Sequence, residues 1–458
     1  MNRPATRGST HTPVIVFAGI VGLSVVFFFI FSAGSVGKKP APPPSATPAA
    51  RTTPPAGKAA VVSSADAPVA APERTPAGLP QVSAVSSPEA LLAEIAVRLR
   101  AGDMESVGKL SAASAGPRVE FLKHLLTDCG WRVADGNPWR DAGAMTGVSR
   151  QELKLEPASP NAPAPAGVVM ADIERVTGSG WKVKAWSFDL ALVAQASALL
   201  TAKGVAPSIQ ADAPDTLDVA RHFFSDVLSH DFKSARGLTD QTAVTYEKLA
   251  GLCIVFEEGE YHIAEKRPVV VTAGTADSAW AIVKIRSDKE KLDSEVGLEM
   301  RRTPGGEWRI HSLDFNKMLE SYVQASGAGR VFYSPIVKSA KGGESIVLYF
   351  EFDKAGLHPR ALHQLDIIAS LLKSDPARKM RITGHTDALG SDDYNERLSA
   401  VRAKNVRERL LAVGVSETQI LTVGFGSKAP LDPNRLENGA DNPDGRSRNR
   451  RTEIYLDF

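Results

Sequence analysis

The sequence predicts an α+β chain in several parts: an N-terminal single transmembrane helix, a Pro/Ala-rich linker, two repeated α+β rolls and a C-terminal βαβ mixed-sheet domain. Three observations lead there. An apolar run of membrane length stands near the start, an aromatic-free stretch rich in proline follows, and the rest changes from a repeated helix-then-hairpin pattern to alternating strands and helices. The 458 residues correspond to about three domains at roughly 150 residues each, and 43% hydrophobic content supplies cores for them. A wholly disordered chain is thereby excluded. Fifty-four basic residues against 52 acidic ones leave a net charge of +2, so no overall field draws the chain to nucleic acid or an anionic surface. Two cysteines make neither a disulfide framework nor, without several nearby histidines, a thiolate zinc site. Cys129 and Cys253 read as small buried hydrophobes.

The apolar run is Val14 to Phe31, without a charged residue. As a helix it measures about 27 Å against a hydrocarbon core of about 30 Å, one membrane span. A cleaved signal sequence has a shorter apolar region and a small-x-small site, for which Ser32-Ala33-Gly34 is only passable. The reading is therefore a cytoplasmic tail over 1–13 and an uncleaved transmembrane signal anchor over 14–34. Cleavage is the alternative and leaves a periplasmic or outer-membrane-associated protein. Arg3 and Arg7 before the span match Lys38 and Lys39 after it, so flanking charge does not orient it. The span has no Asp, Glu, Lys, Arg or His to relay a proton or ion. Residues 35–88 hold 12 of the 30 prolines and no Phe, Trp or Tyr, and are expected to stay disordered.

Residues 89–203 and 214–325 repeat one pattern. DMESVGKL (Asp103 to Leu110) lines up with DFKSARGL (Asp231 to Leu238), each after an apolar helical pattern, and both halves later carry alternating strands around Gly-rich turns. All six tryptophans fall in this region. Helices followed by a bent antiparallel sheet resemble the cystatin-like roll of the nuclear-transport-factor-two type. That fold often encloses a pocket, and some members are enzymes using a buried acid. Neither half shows an acid and base constellation, so binding or spacing is expected rather than catalysis.

From residue 345 to 458 the pattern alternates. Ser345 to Phe352, Met380 to Thr386, Ile420 to Val423 and Thr452 to Leu456 read as strands. Leu362, Leu365, Ile368, Leu371 and Leu372 mark one helix face, and Leu398, Val401, Val406, Leu410 and Leu411 another. Five strings here resemble the OmpA-like peptidoglycan-binding domain in the family's order and spacing. They are FEFD (Phe350 to Asp353), GHTDALG (Gly384 to Gly390), NERLSAVRAKNVRERL (Asn395 to Leu410), TVGFG (Thr422 to Gly426) and GRSRNRRTEI (Gly445 to Ile454).

The resemblance implies a ligand, the diaminopimelate of the peptidoglycan stem peptide, whose side chain ends in a centre bearing both an ammonium and a carboxylate. By the same resemblance Asp387 receives the ammonium and Arg402 grips the carboxylate with two parallel hydrogen bonds, which a lysine does less well. Asn395 and Leu398 line the site, Asp353 stands at its edge, and Arg450 or Arg451 lies close by. Outside such a motif, an Asp and an Arg at this separation read equally well as an intradomain salt bridge. The arginines of residues 446–451 have no interleaved aromatics and do not indicate nucleic acid. Residues 424–429 imitate a dinucleotide fingerprint, but Pro430 comes at once and no amphipathic helix opens there. His358 and His363 lie on different helix faces, and neither metal nor cofactor is expected.

If 345–458 binds peptidoglycan, residues 1–13 are cytoplasmic and the chain beyond the span is periplasmic, in a single-pass protein of the inner membrane of a Gram-negative-type bacterium. The 54 linker residues, extended at about 3.1 Å each, reach on the order of 150 Å. The expected function is a non-catalytic, membrane-tethered envelope protein whose partners are peptidoglycan, the membrane and other envelope proteins. The alternative is a periplasmic sensor or ligand-binding protein whose rolls take a small molecule or protein, the wall domain serving for position. A flagellar-stator-type channel needs an acid in the span. An envelope enzyme needs an acid and a base in a middle pocket.

Overall fold

The protein is described by a computed structural model over residues 85–206, 209–325, 334–338 and 344–456. The expected tail, the anchor at 14–34 and the linker up to residue 84 lie outside the described residues. Among the described residues no helix is long and apolar enough to cross a membrane.

The first part of the fold opens with α1 (Pro88–Ala101), α2 (Met104–Lys109) and α3 (Gly116–Thr127). Strands β1 (Trp131–Val133), β2 (Trp139–Met145), β3 (Val148–Leu153), β4 (Leu155–Pro157), β5 (Val169–Val176) and β6 (Gly180–Phe188) come next, closed by α4 (Leu190–Ala202). Residues 85–88, which the sequence assigns to the linker, are folded. Val85 bridges to Gly180, the Ser87 hydroxyl accepts from the Ala90 amide at 3.1 Å, and Pro88 occupies the first helical turn, where it needs no amide hydrogen.

The same order of elements returns with α5 (Thr216–Leu228), α6 (Phe232–Gly237) and α7 (Tyr246–Glu258), then β7 (Tyr261–Ile263), β8 (Val269–Gly274), β9 (Ser278–Ser287), β10 (Leu292–Arg302) and β11 (Trp308–Asp314), and α8 (Asn316–Ala325). The repeated D-x-x-S is a pair of helix caps: Asp103 accepts from the Ser106 amide and Asp231 from the Ser234 amide, both at 3.1 Å. Both cysteines are buried and free, but Cys129 lies just past α3 whereas Cys253 sits inside α7.

The strands of the two halves join in one sheet, ordered β11-β10-β9-β8-β2-β3-β5-β6 with β7 on β9, through a short parallel pairing of Ala144–Met145 with Val270–Val271. Gly143 (φ +131°) permits it, because a Cβ there would collide with the Val269 carbonyl oxygen. Beside this seam, buried Arg150 holds Asp172 and Asp215 at 2.7 Å and Asp218 at 2.9 Å, tying the first half to the start of α5.

The third part consists of β12 (Ile336–Lys338), β13 (Glu344–Tyr349), α9 (Pro359–Ser374), β14 (Met380–Gly384), α10 (Asp392–Ala412), β15 (Ile420–Gly424), α11 (Pro443–Asn449) and β16 (Arg451–Tyr455). Its sheet runs β12-β13-β16-β14-β15, with β14 and β15 parallel and the other pairs antiparallel. β13 ends three residues before the expected Phe352, and the chain then bends so that Phe350 is buried and Phe352 exposed. Val401, expected in the core, is exposed: the buried stripe of α10 is Asn395, Ser399, Arg402, Ala403, Val406 and Leu410, polar for its first half.

This domain does not stand apart. Its apolar residues from Ile346 to Leu456 belong to the same continuous core as Leu217 to Met318. α7 lies at the junction and is buried at ten of its thirteen residues, including Glu247, which accepts from the Leu456 amide. The first half keeps a separate core, from Leu91 to Leu200.

Candidate functional site

Parallel β14 and β15 end side by side in the paired glycines Gly384 and Gly424. A Cβ at Gly384 would collide with the Ser399 carbonyl oxygen, and one at Gly424 would come within 2.8 Å of Ser399 Oγ. Two absent side chains thus let α10 lie directly over the strand ends. From Gly384 the chain passes through His385, Thr386 and Asp387 to Gly390 (φ +95°), and Ser391 caps α10 by accepting from the Tyr394 amide at 3.3 Å.

Between this loop, the first turns of α10 and residues 352–353 lies a cavity of about 330 Å³. Six of the seven residues expected in the site line it: Asp353, Asp387, Asn395, Leu398, Arg402 and Arg450. Arg451 does not. Arg450 closes α11, whereas Arg451 opens β16, is buried and pairs with Glu453 two residues on along the same side of the strand, its Nε at 2.7 Å from the carboxylate. Thr386, Leu389 and Tyr394 also line the cavity; the motif reading does not single them out, although each lies within or beside a motif string.

Arg402 is fully buried and donates from Nε to the Lys354 carbonyl (2.8 Å), from Nη1 to the His385 carbonyl (2.8 Å) and from Nη2 to the Glu351 carbonyl (3.2 Å). Three of its five N–H groups therefore fix the two loops that wall the cavity, leaving two. Burial, with help from neighbouring Arg450, pushes its guanidinium down to about 10, still cationic at neutral pH. The direct ionic partner of Asp387 is Arg450 Nη1 at 2.9 Å, with Arg446 at 3.8 Å. The other Asp387 oxygen accepts from the Leu389 amide at 3.1 Å. Asn395 Nδ2 donates to the Leu389 carbonyl at 3.1 Å and holds the same turn. Asp353 sits in a left-handed conformation (φ +60°) and accepts from the Tyr394 hydroxyl, whose pKa that bond raises.

The cavity thus presents two carboxylates, Asp353 and Asp387, and two guanidiniums, Arg402 and Arg450, which sum to zero charge. Such a lining suits a ligand group carrying both signs better than a simple anion or cation. Among the described residues no group of three or more His, Cys, Asp and Glu side chains is placed to hold a metal ion.

Residues 349–443 match the OmpA family, and the C-terminal domain is an OmpA-family domain. The chain is 41% identical over 107 residues to the peptidoglycan-binding protein ArfA of Mycobacterium tuberculosis, covering 23% of this chain and 31% of that one. It is 35% identical over 123 residues to the photosystem I P700 chlorophyll a apoprotein A2 of Gloeobacter violaceus, covering 26% of this chain and 14% of that protein. The chain spans less than a third of the length of either relative. Among solved structures, the peptidoglycan-associated lipoprotein from Burkholderia pseudomallei is 31% identical with a TM-score of 0.22, covering 24% of this chain and 89% of that one.

Proposed function

We propose that this is a non-catalytic envelope protein, anchored in the inner membrane by residues 14–34, that binds peptidoglycan outside it through the diaminopimelate of the stem peptide. The observation that carries the reading is the cavity between β14 and α10, where Asp387 lies among the guanidiniums of Arg402 and Arg450. In the bound state the Asp387 oxygens accept from the ligand ammonium, and the two remaining N–H groups of Arg402 grip its carboxylate. Leu398 packs on the aliphatic stem, and Tyr394 with Asp353 closes the rim. The family match and the resemblance to a relative named for binding peptidoglycan support the ligand class.

The test is co-sedimentation of soluble residues 85–458 with purified peptidoglycan. Retention is expected on diaminopimelate-type wall and a loss of at least tenfold on lysine-type wall, whose side chain lacks the second carboxylate. Asp387→Ala is expected to abolish retention. Equal retention of wild type and Asp387→Ala, or of both walls by wild type, refutes the site.

A further inference from the structure

A second cavity, of about 670 Å³, is formed by the end of β13, the loop that follows it and the first turns of α9. It shares a wall with the cavity between β14 and α10. Phe352 and Arg450 line both, and buried Phe350 lines the second with its ring centre 5.0 Å from the guanidinium of Arg402, which lines the first. A polymer held by one of its groups in the first cavity therefore brings its other groups to the mouth of the second.

Gln364, on the second turn of α9, is in the wall of this cavity and only 5% exposed, yet its side-chain amide has no hydrogen-bond partner among the described residues. An amide taken out of water unpaired is costly, and buried polar groups are as a rule satisfied. A ligand amide supplies both a donor and an acceptor to match it. Phe352 is the opposite anomaly, a large apolar ring left 58% exposed. The charged side chains of the lining are already answered: Glu351 pairs with Lys354, Arg360 with Glu258 at 3.0 Å and Arg450 with Asp387 at 2.9 Å. The fitting occupant is thus neutral, bears an amide and has a flat apolar face. We propose, resting on the wall-binding reading for the identity of the polymer, that this cavity takes an N-acetylated sugar of the peptidoglycan glycan, its acetamido group paired with Gln364 and its ring set on Phe352. The alanines of the stem peptide also bring amides, but they have no flat face for Phe352 and fill little of a volume that lies in the range of small-molecule sites, roughly 300–1,000 Å³.

The test is isothermal titration calorimetry of the full chain, in a detergent without a sugar headgroup, with chitotetraose, a glycan of N-acetylglucosamine alone that carries no diaminopimelate. Binding is expected, at least tenfold tighter than that of cellotetraose, which lacks the acetamido groups, and of N-acetyl-D-alanyl-D-alanine amide, which has amides without the sugar. Gln364→Leu, which exchanges the unpartnered amide for an apolar group of similar size, should weaken chitotetraose binding at least tenfold and leave the binding of free diaminopimelate unchanged. Phe352→Ala, at an exposed ring, should also weaken chitotetraose binding at least tenfold, and it gives the reading if Gln364→Leu does not fold. No chitotetraose binding, equal binding of cellotetraose or of the peptide, or wild-type binding by folded Gln364→Leu or by Phe352→Ala overturns the inference. Chitotetraose and diaminopimelate are titrated separately, so failure of the sugar site is distinguished from failure of the diaminopimelate site.

Discussion

Arg402 holds the walls of the cavity with three N–H groups, and in the proposed function the other two take the ligand carboxylate. Arg402→Lys keeps the charge but not the fork, so carbonyls at Glu351, Lys354 and His385 cannot all be satisfied, at about 1–3 kcal/mol for each one orphaned. The expected outcome is at least a tenfold loss of peptidoglycan retention together with a lower denaturation midpoint. Asp387→Asn, which keeps shape and the bond from the Leu389 amide, should lose retention with a smaller shift in midpoint. Titration with urea beside the sedimentation assay separates the two. Glu453 gives a pH dependence. Burial pushes its carboxyl up, but Arg451, the Tyr455 hydroxyl and His385 outweigh burial and hold it below its ordinary 4.5. A depressed carboxyl adds stability above its unfolded-state pKa and loses it as pH falls through the folded one. The wild-type midpoint should therefore drop below about pH 4.5 more steeply than that of Glu453→Gln, measured by urea titration from pH 6 to 3. At this scale Asp387 and Arg402 were legible because a motif string names them. Whether Arg450 or Arg451 faces the cavity was not, because adjacent arginines differ only in which side of the chain they take, and the burial of Glu453 settles that for Arg451.

Among the elements, β14, β15 and α10 form the platform of the site, and two glycines bring them into contact. Gly384→Ala forces a Cβ onto the Ser399 carbonyl, so strand and helix must separate, and overpacking of this kind costs about 1–3 kcal/mol or more. Gly102, which ends α1 at φ +72° with open space around it, offers the contrast. Gly102→Ala costs only backbone strain, about 1 kcal/mol. Gly384→Ala should also weaken peptidoglycan retention while Gly102→Ala leaves it intact; denaturant titration and sedimentation of both variants check this. The strands and helices here were largely readable from period because each buries one apolar side. α10 misled at Val401 for a physical reason: where the buried stripe of a helix lines a polar cavity, its inward residues are Asn395, Ser399 and Arg402, and the hydrophobic period no longer marks the inside. β12 escaped notice because three residues carry no periodicity.

In the whole molecule, the parts read from sequence as separate are coupled through surfaces that no local pattern announces. α7 buries both sides, toward its own sheet and toward the C-terminal domain, and the Tyr246 ring lies 4.3 Å from the Arg236 guanidinium and 3.6 Å from that of Arg378. Apolar residues on all sides of a helix are visible in a sequence, but not which domain they meet. The shared core implies that residues 214–458 unfold in one transition, and that a fragment of residues 345–458, its α9 stripped of α6 and α7, unfolds at a clearly lower temperature. Equal midpoints for the two fragments would show that the junction contributes nothing. The first half, with its own core, joins the second through the β2–β8 pairing and the Arg150 cluster. Arg150→Met leaves Asp172, Asp215 and Asp218 close together without their cation, and breaking a buried ionic cluster from one side costs about 3–5 kcal/mol. That loss falls on the seam and not on either core. Calorimetry of residues 85–458 should therefore show an unfolding transition of the first half separating below that of the second in Arg150→Met. The cavity proposed to bind the wall is built wholly from the C-terminal domain, so peptidoglycan retention should stay at the wild-type level until the second transition begins.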